Sequence, residues 1–282
     1  FATKGRPADH PLIVHVADAS GVDHFASAVP AFAQALAQAF WPGPLTLILP
    51  RRPGHGAAAA GGQESIGLRC PAHPVAQALL RACLAEGVRG VAAPSANRFG
   101  RVSPTTAAHV QGEFGDGLLV LDGGACAVGI ESTIIDCTRG VPVLLRPGAI
   151  TRAQIAAACG IAPLSKEELP AHTPRASGTL EAHYAPNAKV RLMDAKALQA
   201  GLDLLGADAA HLAVYARTPL RAPSPQVLLR RMPQDAEAAA QELFAALRAF
   251  DDAGARLVWI ELPPATPEWE GVRDRLQRAA AA

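Results

Sequence analysis

Residues 118–159 read LLVLDGGACAVGIESTIIDCTRGVPVLLRPGAITRAQIAAAC, and the order of elements in this stretch decides the fold class. Three short apolar runs, 118–121, 133–136 and 143–145, are bounded by Gly, Pro or Asp and predict β-strands. Only after them does a helix begin. Thr151 and Gln154 form a capping-box pattern ahead of a helix ending near Cys159. Strands that follow one another with no helix between them exclude strict βα alternation. The sequence therefore predicts a mixed α/β sheet, not a purely parallel one.

Working outward, Phe32, Leu36 and Phe40 recur at four-residue spacing behind Pro30 and predict an amphipathic helix. Runs 45–49 and 65–70 predict strands. Pro74, with Val75, Leu79 and Leu80, starts a second helix. Run 90–93 is a strand that leads straight into Pro94-Ser95-Ala96-Asn97. Ser103-Pro104 predicts a helix start, with serine as cap and proline at the first helical position. Residues 163–187 are polar and punctuated by Pro163, Pro170, Pro174 and Pro186, the composition of a linker. Beyond it the pattern alternates regularly. Strands at 190–193, 212–215, 227–229 and 257–262 are interleaved with helices from Ala195, over 235–250 and over 272–282. This is a Rossmann-like β/α pattern, without the G-x-G-x-x-G turn that would imply a dinucleotide. The expected organisation is a domain at 1–162, a linker at 163–187 and a smaller domain at 188–282.

Composition narrows the function classes. Half of the 282 residues are hydrophobic and 18% are charged, which excludes a disordered chain. With 61 alanines and 5% aromatics, the core must be aliphatic, with closely approaching helices. A net charge of +1 argues against a dedicated nucleic-acid binder. No run of about 18 apolar residues could span a membrane, and the opening FATKGRP lacks a signal peptide's apolar stretch. The five cysteines include no C-x-x-C pair, so they read as reduced thiols in a cytoplasmic protein, with no zinc site.

Several residues could carry chemistry. Lys4 and Arg6, separated by one glycine, can converge on phosphate oxygens, or can simply be solvated. Ser95 and Asn97 lie at the carboxyl end of a strand, where α/β proteins bind ligands; an Asx turn is the plain alternative. Asp122-Gly123-Gly124 and the run from Gly129 to Thr133 permit close backbone approach, with Ser132 at the start of a strand. Arg69 and Arg146 each end an apolar strand and could clamp a carboxylate or phosphate, or form an edge ion pair. His10 and His15 flank a strand without metal-ligand spacing. His183-Tyr184 in the linker suits a docking anchor. The stretch 54–62 lacks the lysine of a P-loop and reads as a mobile loop.

Taken in order, the motifs are more specific than their parts. KGRP with HPLIVH (4–15), FWPGPLT (40–46), GLRCPAHP (67–74), APSANRFGRVSPTTAAHV (93–110), DGG with GIESTIID (122–136) and LLRPGAIT (144–151) follow one another. This series resembles the YrdC/Sua5 family of threonylcarbamoyl-AMP synthases. SGTLEAHYAP (177–186) and the tail VRDRLQRAAA (272–281) are similar to the longer, two-domain Sua5 type. The resemblance implies a YrdC-like mixed twisted sheet domain followed by a smaller Rossmann-like domain. It implies an enzyme that joins L-threonine, bicarbonate and ATP into threonylcarbamoyl-AMP and pyrophosphate. The product would be handed to the transferase that makes N6-threonylcarbamoyladenosine in tRNA.

By the same resemblance Lys4, Arg6, Ser95 and Asn97 serve catalysis and ATP. His10, the Ala93 backbone, Arg146 and Gly178 add nucleotide contacts. His15, Arg69 and Ser132 hold threonine, and His183 and Tyr184 belong to a lid. Mg²⁺ is expected on the phosphates with few protein ligands. Substituting Lys4 or Arg6 by alanine is expected to abolish turnover with little loss of stability. Family members carry a segment with P-T-E-T-x-Y-G-L ahead of KGRP, so the catalytic domain is expected to be short at its front. Competing readings are a non-catalytic RNA- or nucleotide-binding module of the same fold, and a carbamoyl-transfer maturation factor. Near-neutral charge disfavours the first, and the absence of zinc-finger cysteine pairs the second.

Overall fold

The computed structural model describes residues 1–168, 174–206 and 209–282. They form two compact units. The first comprises Phe1–Arg98, Leu119–Gly124 and Glu131–Thr179; the second comprises Phe99–Leu118, Ala125–Ile130 and Leu180–Ala282.

The first unit is built on a seven-stranded sheet. Its strands are β1 (Ile13–His15), β2 (Leu45–Pro50), β3 (Ser65–Arg69), β4 (Val91–Ala92), β5 (Thr133–Asp136), β6 (Val143–Arg146) and β7 (Leu164–Ser165). The spatial order is β4-β1-β3-β2-β5-β6-β7. Pairs β1–β4, β2–β3 and β5–β6 are antiparallel; β1–β3, β2–β5 and β6–β7 are parallel. The predicted mixed sheet is present. Burial explains which strands are central. β5 is buried at all four positions and β2 at its first five, whereas β3 alternates, with Ile66 and Leu68 turned to one face. That face receives the helix Ala31–Phe40, whose Phe32, Ala33 and Leu36 pack with Val14, Leu47 and Leu68. On the opposite face Ile48, Ile134, Val143 and Leu145 cluster with Ala176 from the segment at 174–179.

The second unit holds a parallel sheet of β8 (Lys189–Met193), β9 (Leu212–Ala216), β10 (Leu228–Arg231) and β11 (Leu257–Glu261), in the order β10-β9-β11-β8. The helix Ala236–Asp252, capped by Asp235, buries Leu243, Leu247 and Phe250 at turn spacing. The helix Ala195–Leu205, capped by Asp194, buries Leu198 and Leu202 in a separate cluster with Leu212 and Val214. This is the Rossmann-like layering the alternation predicts.

Four expectations need correction or adjustment. The helix after PSAN begins at Ala107, capped by Thr106 through its bond from the His109 amide, and not at Ser103-Pro104. Ahead of it, Arg248 donates to Val102 O at 2.5 Å and to Ser103 O at 3.4 Å, and the cap falls to the Thr106 hydroxyl. The run 118–121 forms no strand. Leu119 and Leu121 are 96% and 64% exposed, and no described residue offers them a ladder partner. An apolar run becomes a strand only where another backbone edge accepts its hydrogen bonds.

The front of the expected linker is sheet, because Leu164 and Ser165 pair with Val143 and Leu144. The part of that linker at 169–173, Pro170 included, lies outside the described residues. Finally, segments 99–118 and 125–130 cluster with the C-terminal unit, so the compact units interleave along the chain instead of dividing near residue 162.

Candidate active site

Strand register assembles the site on the face of the seven-stranded sheet turned away from helix Ala31–Phe40. His15 of β1 pairs with Arg69 of β3. Leu68 of β3 faces Leu47 of β2, which sets Thr46 beside Arg69. Thr46 then pairs with Ile134 of β5, and Ile134 with Arg146 of β6. Five adjacent strands thus contribute one cross-sheet row: His15, Arg69, Thr46, Ile134 and Arg146. Side chains of one row lie about 5 Å from their neighbours, so residues 131 positions apart in sequence end up on one face of five neighbouring strands.

The phosphate-type cations sit at one end. Ala2–Lys4 forms a single 3₁₀ turn that ends at Gly5 in the left-handed region, with φ 65°. This turn sends Lys4 towards the PSAN loop, where its ammonium donates to Ser95 O at 2.5 Å and to Asn97 O. Asn97 is buried and donates through Nδ2 to Arg98 O at 2.7 Å. Arg6 is 8% exposed. Its Nη2 donates to Pro11 O at 2.8 Å, to Ser177 Oγ at 3.1 Å and to His10 Nδ1 at 2.8 Å. Since Arg6 can only donate, His10 Nδ1 must accept and its proton resides on Nε2. Burial, then the charges of Arg6 and Arg175, holds His10 below the ordinary histidine range. The expectation that Arg6 is removable without structural cost fails here, because it is a buried hub and not a solvated terminal cation.

Arg146, 2% exposed, is the second hub. Its Nε donates to Ser132 O at 3.0 Å, Nη2 to Ser132 Oγ at 3.1 Å and Nη1 to Ser177 O at 2.8 Å. The segment at 174–179 is therefore held over the sheet by both hubs. Further ties come from Gln63 Oε1, which accepts from the Arg175 amide at 2.7 Å, and from Arg175 to Gly61 O at 3.0 Å. Gly178 follows with φ 72° and is buried. Arg69 donates through Nε to Gly43 O at 3.0 Å, which fixes its guanidinium beside His15. Ser177, Arg175 and Thr46 carry no local signal in the sequence: the first two lie in a stretch of linker composition, and Thr46 is a polar residue within an apolar strand run.

His15 Nδ1 is buried without a hydrogen-bond partner. Burial, followed by the charge of Arg69, pushes its pKa down to about 4. The folded protein thus binds fewer protons here than the unfolded chain, whose histidine titrates near the ordinary 6.5. Stability is unaffected above that value and falls as pH drops from about 6.5 towards 4. Urea unfolding across this window should show a loss of up to about 3 kcal/mol. A His15→Asn variant should flatten the profile; an unchanged slope in that variant would place the titration elsewhere.

Residues 1–148 match the family of Sua5, YciO and YrdC proteins described as "Telomere recombination", and residues 150–281 match "Threonylcarbamoyl-AMP synthase, C-terminal domain". The chain belongs to the Sua5/YrdC family. Threonylcarbamoyl-AMP synthases of Bacillus subtilis and Pyrococcus abyssi are each 41% identical to it over 198 and 204 residues, covering 69% of this chain. The matched regions are 56% and 57% of those proteins, so the chain spans little more than half the length of these curated relatives.

The crystal structure of P. abyssi Sua5 complexed with L-threonine superposes with a TM-score of 0.87 at 34% identity, covering 99% of this chain and 83% of that one. A P. abyssi Sua5 variant carrying alanines for a histidine–tyrosine pair gives a TM-score of 0.88 at 32% identity, covering 99% and 81%.

The histidine–tyrosine pair of this family member, His183 and Tyr184, lies within the second unit. Tyr184 is 1% exposed and adopts φ 60°, a left-handed conformation that a tyrosine keeps only when its surroundings enforce it. Its ring packs on Phe244 at 5.3 Å, the Arg275 guanidinium stands 5.2 Å from its centroid, and His183 meets it edge-on at 4.1 Å. In this structure the pair is an aromatic anchor in the core of that unit. Among the described residues no helix is long and apolar enough to cross a membrane. No group of three or more His, Cys, Asp or Glu side chains converges on a common point among them either.

Proposed function

We propose that the first unit joins L-threonine, bicarbonate and ATP to give threonylcarbamoyl-AMP and pyrophosphate. The observation that carries this reading is the convergence on one sheet face of two kinds of residue. One is a cation and amide group around Lys4, Arg6, Ser95, Asn97 and Arg146. The other is Arg69 beside His15, together with Ser132, which Arg146 holds; we assign these to the amino-acid carboxylate.

Bicarbonate first loses water to give CO₂, which the threonine amine takes up as a carbamate, the amine proton replacing the one consumed in the dehydration. A carbamate oxygen then attacks the α-phosphorus of ATP, the bond to the β-phosphate oxygen breaks, and pyrophosphate leaves. This exchange needs no protein nucleophile. It needs donors that gather charge on the phosphates and a clamp that aligns the carbamate. Lys4, Arg6 and Arg146 are assigned to the phosphates and Arg69 to the amino-acid carboxylate. His10 and Gly178 complete the nucleotide side. The Ala93 amide already donates to Ile13 O at 3.1 Å, so Ala93 contributes its carbonyl as an acceptor. The donor set on this face is cationic and amidic, so Mg²⁺ is assigned to the phosphates themselves, with no protein cage and no step routed through it. Transfer of the adduct to a tRNA-modifying transferase is the fitting use of so labile an anhydride.

The test is pyrophosphate release with ATP, L-threonine and bicarbonate, with the adduct identified by mass. Omitting threonine or bicarbonate should abolish the signal. Threonine-independent hydrolysis, or no adduct at saturating substrates, would refute the proposal.

A further inference from the structure

Thr46 is the polar residue inside the apolar run of β2, and it is 0% exposed. Its hydroxyl lies 2.7 Å from Ser132 Oγ. Ser132, 2% exposed, also receives Arg146 Nη2 at 3.1 Å. Each hydroxyl has one proton and two lone pairs, and a guanidinium can only donate. With one Ser132 lone pair taken by Arg146, the two hydroxyls can share one proton between them. The other proton has no protein acceptor among the described residues. If Ser132 donates, the surplus proton sits on Thr46, whose side chain is wholly buried, where an unsatisfied donor costs about 1–3 kcal/mol. If Thr46 donates, Ser132 accepts twice, and its own proton must point away from both partners. Accepting from a guanidinium and from a second hydroxyl also polarises the Ser132 O–H and makes it a stronger donor.

We infer that Thr46 is a positioning residue: it donates to Ser132 and so turns the Ser132 proton onto an anionic oxygen of the bound amino acid. The inference rests on the proposed function for the identity of that amino acid. The charge of the acceptor follows from the surplus proton and the flanking Arg69 and Arg146. Arg69 and the Ser132 hydroxyl that Thr46 orients then meet the same carboxylate-bearing ligand, while Arg146 holds Ser132 from the phosphate side.

Two variants separate orientation from packing. Thr46→Val keeps the shape and removes the hydroxyl, while Thr46→Ser keeps the hydroxyl. Thr46→Val should raise the threonine KM about tenfold or more, the scale of a hydrogen bond to a charged group. It should leave the ATP KM within about twofold, and Thr46→Ser should restore the threonine KM. A Thr46→Val/Ser132→Ala double variant should be no worse than Ser132→Ala alone, because Thr46 acts through Ser132. An unchanged threonine KM in Thr46→Val, equal losses in Val and Ser variants, or a parallel rise in both KM values would overturn the inference. Threonine binding by calorimetry tests it independently of turnover. A wild-type protein that binds threonine but makes no adduct would sink the synthase reading and leave this one to be decided by Kd alone.

Discussion

Replacing Lys4 by alanine is expected to lower the rate of threonine-dependent pyrophosphate release by at least about a hundredfold, with Tm moving by no more than about 2 °C. The ammonium sits at the end of a single turn against two carbonyls of the PSAN loop. It is half-buried. Its loss removes charge where the transferring phosphoryl group gains it, an effect felt in the transition state more than in the ground state. kcat should therefore fall further than the ATP KM rises. Lys4→Arg should recover only part of the rate, because a planar fork cannot reach two carbonyls and a phosphate as a compact ammonium can. Arg6→Ala should lose comparable activity but also unfold at lower temperature, since its three acceptors are left in a buried space. Equal stability of the two variants, or more than a tenth of wild-type turnover in Lys4→Ala, would contradict these assignments.

Much of the fold was legible in the sequence because its elements carry their own signals. Thr151 with Gln154 makes the capping box it advertises, Pro74 starts its helix at the first position, and Asp235 caps the longest helix. These are local interactions within about four residues, and the chain writes them where they act. What the sequence could not show depends on distant partners. Ser103-Pro104 looks like a helix start, yet the Val102 and Ser103 carbonyls bond to Arg248, about 145 positions away, and the helix begins only after Thr106. Leu118 to Leu121 looks like a strand, yet a strand exists only with a neighbour. The candidate site divides in the same way. Lys4, Arg69 and Arg146 were visible as cations at strand ends or beside glycine. Thr46, Ser177 and the burial of Arg6 were not, since each follows from strand register or from the segment at 174–179 folding back on the sheet.

Arg146→Ala is expected to abolish activity and to cost roughly 2–4 kcal/mol of stability, visible as a Tm lowered by about 5–10 °C. The guanidinium spans three acceptors at once: the carbonyl and hydroxyl of Ser132 at the start of β5, and the carbonyl of Ser177. Removing it leaves these groups without their shared donor in a site that is almost wholly buried. The two losses have separate origins and separate readouts. Stability falls because buried acceptors go unsatisfied. Activity falls because Ser132 is no longer polarised and the segment carrying Gly178 is no longer tied to the sheet. Hydrogen exchange should therefore rise at 175–179 in Arg146→Ala, while the core strand β2 stays protected. Arg146→Lys should recover part of the stability and almost none of the activity, because one ammonium cannot hold three acceptors in the geometry of a fork. Free guanidinium at tens of millimolar should restore measurable turnover to the alanine variant if the guanidinium itself matters. If Arg146→Lys works as well as wild type, charge alone suffices and the forked arrangement has no role in the chemistry.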